Sequence, residues 1–441
     1  MSVAFRRLLS AASVAAVVLS VTPAVSQVPQ RGLPSRNLLS RFGLERAWSN
    51  QSTINIRSDV VLHVVADEEV VIVQTRSGMI TVFDAQSGVK LWDGQLARAD
   101  QYSFPAVTNG DLLFVVIGST VYARDKFGGQ ELWTLRLPNV PSTSPTVDDR
   151  RMYVGMLQGD VYAFDLPTIA RNQAEGRLPQ FNYENIVWHY GTSGRIVTAP
   201  VTDGKVVCFA NALGSLYAVS TSQRDLKFQF ETRGRASAPM DMATAVENGI
   251  DVSFIFLAAG DTNLYCLRST NGTTRWLHVT GAPIREKPHV IGNSVYLVPL
   301  DSGVYDLDIN TGRQRWWAPS VTAFVAATPT RVFGTDKSGD LAVIDRGDGA
   351  LLGTLPMLGF PIRVANERTD RMYLCSTSGL VTCLREEGAE LPIYHRFPER
   401  RPILPLFGDQ PMTEAADESG ATPEERRQLE TGAEALPQDA P

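Results

Sequence analysis

Five aspartates, Asp84, Asp125, Asp165, Asp308 and Asp345, are the first residues that could supply acid–base chemistry. A catalytic carboxylate is a single group placed by its fold, but these five recur at fixed spacing. Gly88, Gly129, Gly312 and Gly349 stand four residues after four of them, and Trp92, Trp133 and Trp316 stand eight residues after three. An Asp that closes a strand can accept hydrogen bonds from the amides of the turn behind it, and Gly takes positive φ at no steric cost. The aspartates therefore read as turn formers, and no catalytic residue is assigned.

The other reactive side chains give no constellation. Cys208, Cys266, Cys375 and Cys383 form no adjacent or CxxC pair, and no His joins them at ligand spacing, so a metal site is not expected. Cys375 and Cys383 fall on neighbouring strands, either as a cross-strand disulfide or, the preferred reading, as two buried small apolar residues. His63, His189, His278, His289 and His395 are scattered and read as structural, although a pair could converge in a central channel. Phosphate-cradling glycine loops, HExxH and Gly-x-Ser-x-Gly are absent from the sequence, and no cofactor is expected.

The elements that position these residues are tandem hairpins. Val304 to Trp316 shows one in full: an apolar strand, Asp308, a Thr311-Gly312 turn, then a strand carrying Trp316. With the Trp as origin, a Tyr lies eleven residues earlier, as Tyr305 and Tyr122 do, and Thr81 holds that place before Trp92. Tyr265, Gly272 and Trp276 form a copy with Arg268 in the Asp place. Tyr217 and Phe228 hold a worn copy, and another has Gly353 in the Trp place. Tyr162 and Asp165 begin a copy that an insertion, Leu166 to Ile186, separates from Trp188. Leu380 to Leu384 begins a last copy with no Trp after it. Eight copies at a period of about 40 residues indicate a propeller or a solenoid.

Within each copy an earlier strand, such as Leu112 to Ile117 or Val252 to Leu257, is apolar on both faces, as a strand sandwiched between neighbouring blades must be. Prolines 105, 145, 200, 239, 288, 329 and 361 read as the start of innermost strands, where no ladder donor is lost. Trp48 has no turn before it, and supplies the Trp strand missing from the eighth copy. The fold class is all-β: an eight-bladed β-propeller of four-stranded antiparallel blades, closed by the N-terminal strand around Trp48. Closure of this kind leaves no open sheet edge. The rival is closure by Leu391 to Arg396, with Ile393 in the Trp place. The tryptophans read as packing between blades rather than a cofactor box.

The domain plan is a signal peptide at 1–26, a linker at 27–43, the propeller at 44–400 and a Pro-rich, then acidic, disordered tail at 401–441. Arg6 and Arg7 precede an apolar run from Leu8 to Val21 and an Ala24-Val25-Ser26 cleavage pattern, which points to export. No Cys near that site can accept a lipid, and no later apolar run spans a bilayer. Residues 409–441 carry nine acidic against two basic side chains, so of the chain's net −6 the remainder holds +1. A near-neutral fold without a basic stripe does not suggest nucleic acid. Repeat-protein insertions favour one face, often the binding face, and Leu166 to Ile186 is such a candidate.

The motif Asp-x-x-Thr-Gly-x-x-x-Trp, complete at Asp308 to Trp316, resembles the pyrroloquinoline-quinone-type (PQQ-like) propeller repeat over residues 44 to 397. That family divides into quinoprotein dehydrogenases and the outer-membrane assembly-factor (BamB) branch, which binds no quinone. The resemblance implies that each Trp docks on the next blade. Trp92, Trp133, Trp188, Trp276 and Trp316 match that role; Phe228 and Gly353 depart from it. A dehydrogenase of this kind has an adjacent-cysteine disulfide, a Trp beneath the quinone and a calcium site, which this sequence does not offer. The BamB branch implies a non-enzymatic, monomeric scaffold for protein partners in the envelope, among them the barrel-assembly machinery. Its members are usually lipoproteins, which this chain does not match, and they contact partners through loops with apolar and Arg residues. The nearest local likeness is Thr232 to Pro239, with Arg233 and Arg235. The alternatives are a PQQ-dependent dehydrogenase-like enzyme and a small-ligand or sugar-binding propeller.

Overall fold

The structure, a computed structural model, describes residues 34–98, 101–178, 183–247, 249–357 and 359–396. The expected signal peptide, the linker up to residue 33 and everything after residue 396 lie outside the described residues.

Eight four-stranded sheets form eight blades. Blades one to seven span residues 61–95, 107–136, 146–191, 201–231, 241–279, 289–318 and 321–355, each with its strands in chain order and antiparallel. Blade eight takes three strands from 362–386 and its outermost strand, Leu44–Gln51, from the start of the propeller. Leu44–Gln51 pairs antiparallel with Leu380–Glu386, and Trp48 stands opposite Cys383 after a bulge at Arg46. The ring closes through Trp48. Leu391 to Arg396 forms no strand, so the rival closure does not occur.

The burial pattern follows from position in a blade. The second strands Val70–Thr75 and Val206–Ala210 are buried at every residue, because a neighbouring blade covers each side. The outermost strand Leu226–Glu231 alternates between exposed and half-buried, since one side meets solvent. Eight apolar clusters fill the eight interfaces between blades. The one between blades eight and one holds Trp48, Tyr373, Cys375 and Cys383 against Val71, Val73 and Phe83.

Pro145, Pro200, Pro288 and Pro361 sit directly before innermost strands, and Pro105 and Pro239 two residues before. Pro329 does not. It follows the innermost strand Val321–Ala327 of blade seven and stands in the turn to the second strand. Only Pro319 and Ser320 join blades six and seven, so Pro319 opens that strand instead.

The described part of the expected linker is ordered. Helix α1, Arg36–Ser40, is capped by Ser35, whose Oγ accepts from Leu38 N at 3.3 Å. Its Leu39 is fully buried between blades seven and eight. Apolar side chains at 38, 39 and 42 dock the segment where a tryptophan is missing. The insertion after Asp165 contains helix α2, Leu166–Ala174, with Ile169 and Asn172 buried. Asn172 Nδ2 donates to Asn185 Oδ1 at 2.7 Å, which ties the helix to the chain that returns to the blade.

Candidate partner-binding face

A propeller has two faces. One carries the Asp turns, and the geometry there is repeated. Asp84 Oδ1 accepts from the Ser87 amide at 2.6 Å, Asp125 Oδ1 from Phe127 at 3.1 Å and Asp308 Oδ1 from Thr311 at 2.9 Å. Asp165 caps α2 in place of a turn, with Thr168 Oγ1 donating to its Oδ2 at 2.7 Å. Gly88, Gly129 and Gly312 have φ near +70° and lie directly against the indole of the preceding blade. Trp48 packs on Gly88, Trp92 on Gly129, Phe228 on Gly272, Trp276 on Gly312 and Trp316 on Gly349. The indole Nε1 of Trp48 donates to Ala85 O at 2.9 Å, Trp92 to Lys126 O at 2.8 Å and Trp188 to Thr221 O at 3.1 Å. Trp276 and Trp316 bond Ile309 O and Arg346 O at 2.9 and 2.8 Å. Trp133 packs into the cluster between blades two and three.

The opposite face carries the loops between second and third strands and the connections between blades. Three successive connections are built alike. Thr192 Oγ1 donates to Gly159 O at 3.0 Å, Thr232 Oγ1 to Gly214 O at 2.8 Å and Thr280 Oγ1 to Thr262 O at 2.7 Å. Each connection then bridges its next blade, through Ile196 to Asn211, Ala236 to Ala259 and Ile284 to Pro299. Gly260 N donates to Arg235 O at 2.9 Å, and a Cβ on Gly234 would lie 3.1 Å from Asp261 N, so the loop presses on its neighbour's backbone. This bracing holds Arg195, Arg233, Arg235 and Arg285 exposed, and none of the four forms an ion pair among the described residues. Leu157, Leu213 and Leu300, from the adjoining loops, are 50%, 65% and 44% exposed. Leu213 lies beside the connection of Arg195, its Cγ 3.1 Å from where a Gly194 Cβ would be. Braced loops that present free guanidiniums beside exposed leucines suit a protein contact.

At the axis, blades five, six and eight bring together Asp241, Lys287, His289 and Glu367. Lys287 Nζ lies 2.5 Å from Glu367 Oε1 and 3.2 Å from Asp241 Oδ1, and Arg396 Nη2 lies 3.5 and 3.6 Å from the same carboxylates. Burial alone would raise the Glu367 carboxyl, but Lys287, His289 and Arg396 overcome it and hold the group well below the usual range. Burial and the Glu367 charge push Asp241 up. Residues before Arg396 cross this end of the ring, with His395 N donating to Arg368 O at 2.8 Å. No spacing rule could find this cluster, because three separate blades supply it.

The histidines have separate settings: His63 Nε2 meets Ser103 O at 2.9 Å, His189 stacks on Tyr162 and His289 on Phe324. All four cysteines are free and buried. Cys375 faces Val381 and Cys383 faces Tyr373, two pair steps apart on adjacent strands. Burial pushes the thiols of Cys266, Cys375 and Cys383 up to about 12, where no thiolate nucleophile forms at neutral pH. Among the described residues no group of three His, Cys, Asp or Glu side chains could hold a metal ion, and no helix is long and apolar enough to cross a membrane.

Fold and rim tryptophans together define the class: an eight-bladed β-propeller whose repeat is similar to the PQQ-like one. Within that class the sequence is similar to the outer membrane protein assembly factor BamB. A family model of that description matches residues 101–173 and 242–372. The BamB of Burkholderia pseudomallei (strain K96243) is 24% identical over 287 residues, covering 62% of this chain and 69% of that protein. The crystal structure of BamB from Moraxella catarrhalis superposes with a TM-score of 0.58 at 16% identity, over 78% of this chain and 98% of that one. A quinohemoprotein alcohol dehydrogenase from Pseudomonas putida HK5 shares the fold at a TM-score of 0.55 and 10% identity, over 78% and 76% of the two chains. The resemblance read from the repeat is thus borne out by family model, relative and fold.

Proposed function

We propose that this protein is a non-catalytic scaffold of the cell envelope, which holds polypeptide partners on its loop face in outer-membrane protein assembly. One observation carries the reading: three consecutive connections, latched identically by Thr192, Thr232 and Thr280, present arginines without an ion pair among the described residues, and exposed leucines stand on the adjoining loops. The likeness to an assembly factor supports it, and the sequence features at residues 1–26 support export. The sugar-channel alternative requires an open polar axis, whereas ion pairs of Lys287 and Arg396 bridge one mouth of it. Reversing Arg233 and Arg235 to Glu would weaken a partner contact with stability kept within about 0.5 kcal/mol, since both are exposed.

Photocrosslinkers placed at Leu213, at Arg235 and, on the opposite face, at Asn271 test the reading in cell envelopes. Adducts with outer-membrane assembly components from Leu213 and Arg235 alone are expected. Adducts from Asn271 alone, or none from any position, would refute it.

A further inference from the structure

Trp133 differs from every other tryptophan. The other six each donate the indole N–H to a main-chain carbonyl; for Trp317 the acceptor is Ser302 at 2.6 Å. At four of the rim positions the acceptor is the residue directly after the repeat's Asp: Ala85, Lys126, Ile309 and Arg346. The equivalent acceptor for Trp133 is Leu166. Leu166 is instead the first residue of α2, which turns its carbonyl along the helix axis into a bond with the next turn. Trp133 is 5% exposed as a residue, its Nε1 makes no hydrogen bond among the described residues, and solvent reaches that atom. An indole N–H that the protein leaves unpaired and that solvent reaches is open to an outside acceptor.

Space for that acceptor adjoins it. A groove of about 480 Å³ lies between α2 and blade two, lined by Leu112, Leu132, Trp133, Leu166, Ala170 and Ala174. We propose that this groove seats an apolar side chain of a partner polypeptide, whose main-chain carbonyl takes the Trp133 indole N–H. The occupant's class follows from the other six indoles, all of which meet peptide carbonyls. Leucine and alanine walls select an apolar side chain, and Asp149 and Gln173 at the rim can accept from the partner's amides. The site lies at the outer edge between blades two and three and does not depend on the loop-face reading.

The test uses the full chain with 15N-labelled indoles, the Trp133 resonance being assigned by its loss in Trp133→Phe. N-acetyl-leucyl-leucine methylamide is the probe, and octanoate, an alkyl chain without an amide carbonyl, is the comparison. Saturable movement of the Trp133 N–H signal by the dipeptide is expected. Ala170→Phe, which fills the groove, should weaken it at least tenfold, as should Ala174→Phe, while the other six indole signals stay in place. Trp133→Phe, which keeps a ring but removes the donor, should weaken dipeptide binding about fivefold, followed by methyl shifts of Leu132. Unchanged binding in both filled variants, no movement at millimolar dipeptide, or movement by octanoate alone would overturn the proposal. Reversing Arg233 and Arg235 should leave the signal's response intact, which separates failure here from failure of the loop-face reading.

Discussion

Phe42 occupies the place of the tryptophan that blade seven lacks: a Cβ built on Gly353 would fall 2.5 Å from Phe42 Cε1. The segment that carries Phe42 continues directly into the closing strand, so the missing indole and the closure of the ring are solved by one stretch of chain. Phe42→Ala is expected to lower stability by about 2 kcal/mol in urea unfolding. Gly353→Trp alone should also destabilise, by about 1–3 kcal/mol, through collision with Phe42. The two changes together should cost less than their sum, because the restored indole fills the space vacated by the phenyl ring. Strict additivity would count against the shared position.

Closure through Trp48 predicts a graded response. Trp48→Phe keeps an aromatic ring between Phe83 and Tyr373 but loses the bond to Ala85, a loss of about 1 kcal/mol. Trp48→Ala should cost about 3–5 kcal/mol. Removing Leu44–Gln51 uncovers the edge of Leu380–Glu386, and self-association in size-exclusion chromatography is the expected result.

Two glycines separate backbone strain from crowding. Gly110 has φ +52° with open space where a Cβ would go, so Gly110→Ala should cost about 1 kcal/mol. Gly88 has φ +71°, and its Cβ would fall 2.2 Å from Trp48 Cδ2. Gly88→Ala must therefore displace a buried indole as well, and about 3 kcal/mol or more is expected in the same denaturation assay. Equal losses at the two sites would show that Trp48 yields freely.

His395 gives a pH dependence. Burial, aided by the Arg346 charge, lowers its imidazole to about 4. The unfolded ring takes a proton near pH 6.5 while the folded one does not, so this contribution is complete above pH 6.5 and is lost as pH falls toward 4. Its ceiling is about 3 kcal/mol. His395→Gln should flatten the fall of stability between pH 6.5 and 4 relative to the unsubstituted protein, measured by unfolding at several pH values. Parallel profiles would rule the imidazole out as the cause.

Much of the fold was legible because a turn and a docking indole impose residue types at fixed distances. Asp308, Gly312 and Trp316 are local requirements of a single hairpin, and a hairpin repeated along the chain announces its architecture. The likeness of the three Thr-latched connections was less visible. Only Arg233 and Arg235 stood out, although Arg195 and Arg285 occupy matching connections. Pro329 misled because a short link between blades six and seven shifts the innermost strand toward the amino end.

The sequence alone determined the number of blades and the turn chemistry and favoured the strand around Trp48 over Leu391 to Arg396 for closing the ring, because each is a contact between residues near in the chain or in strict register. The tertiary structure alone decided that Phe42 replaces an indole, that Asp241, Lys287 and Glu367 converge at the axis, and that α2 leaves the Trp133 N–H without a carbonyl. Those relationships join residues from different blades or from a segment outside the repeat. No period relates such residues along the chain, and only the closed ring brings them within bonding distance.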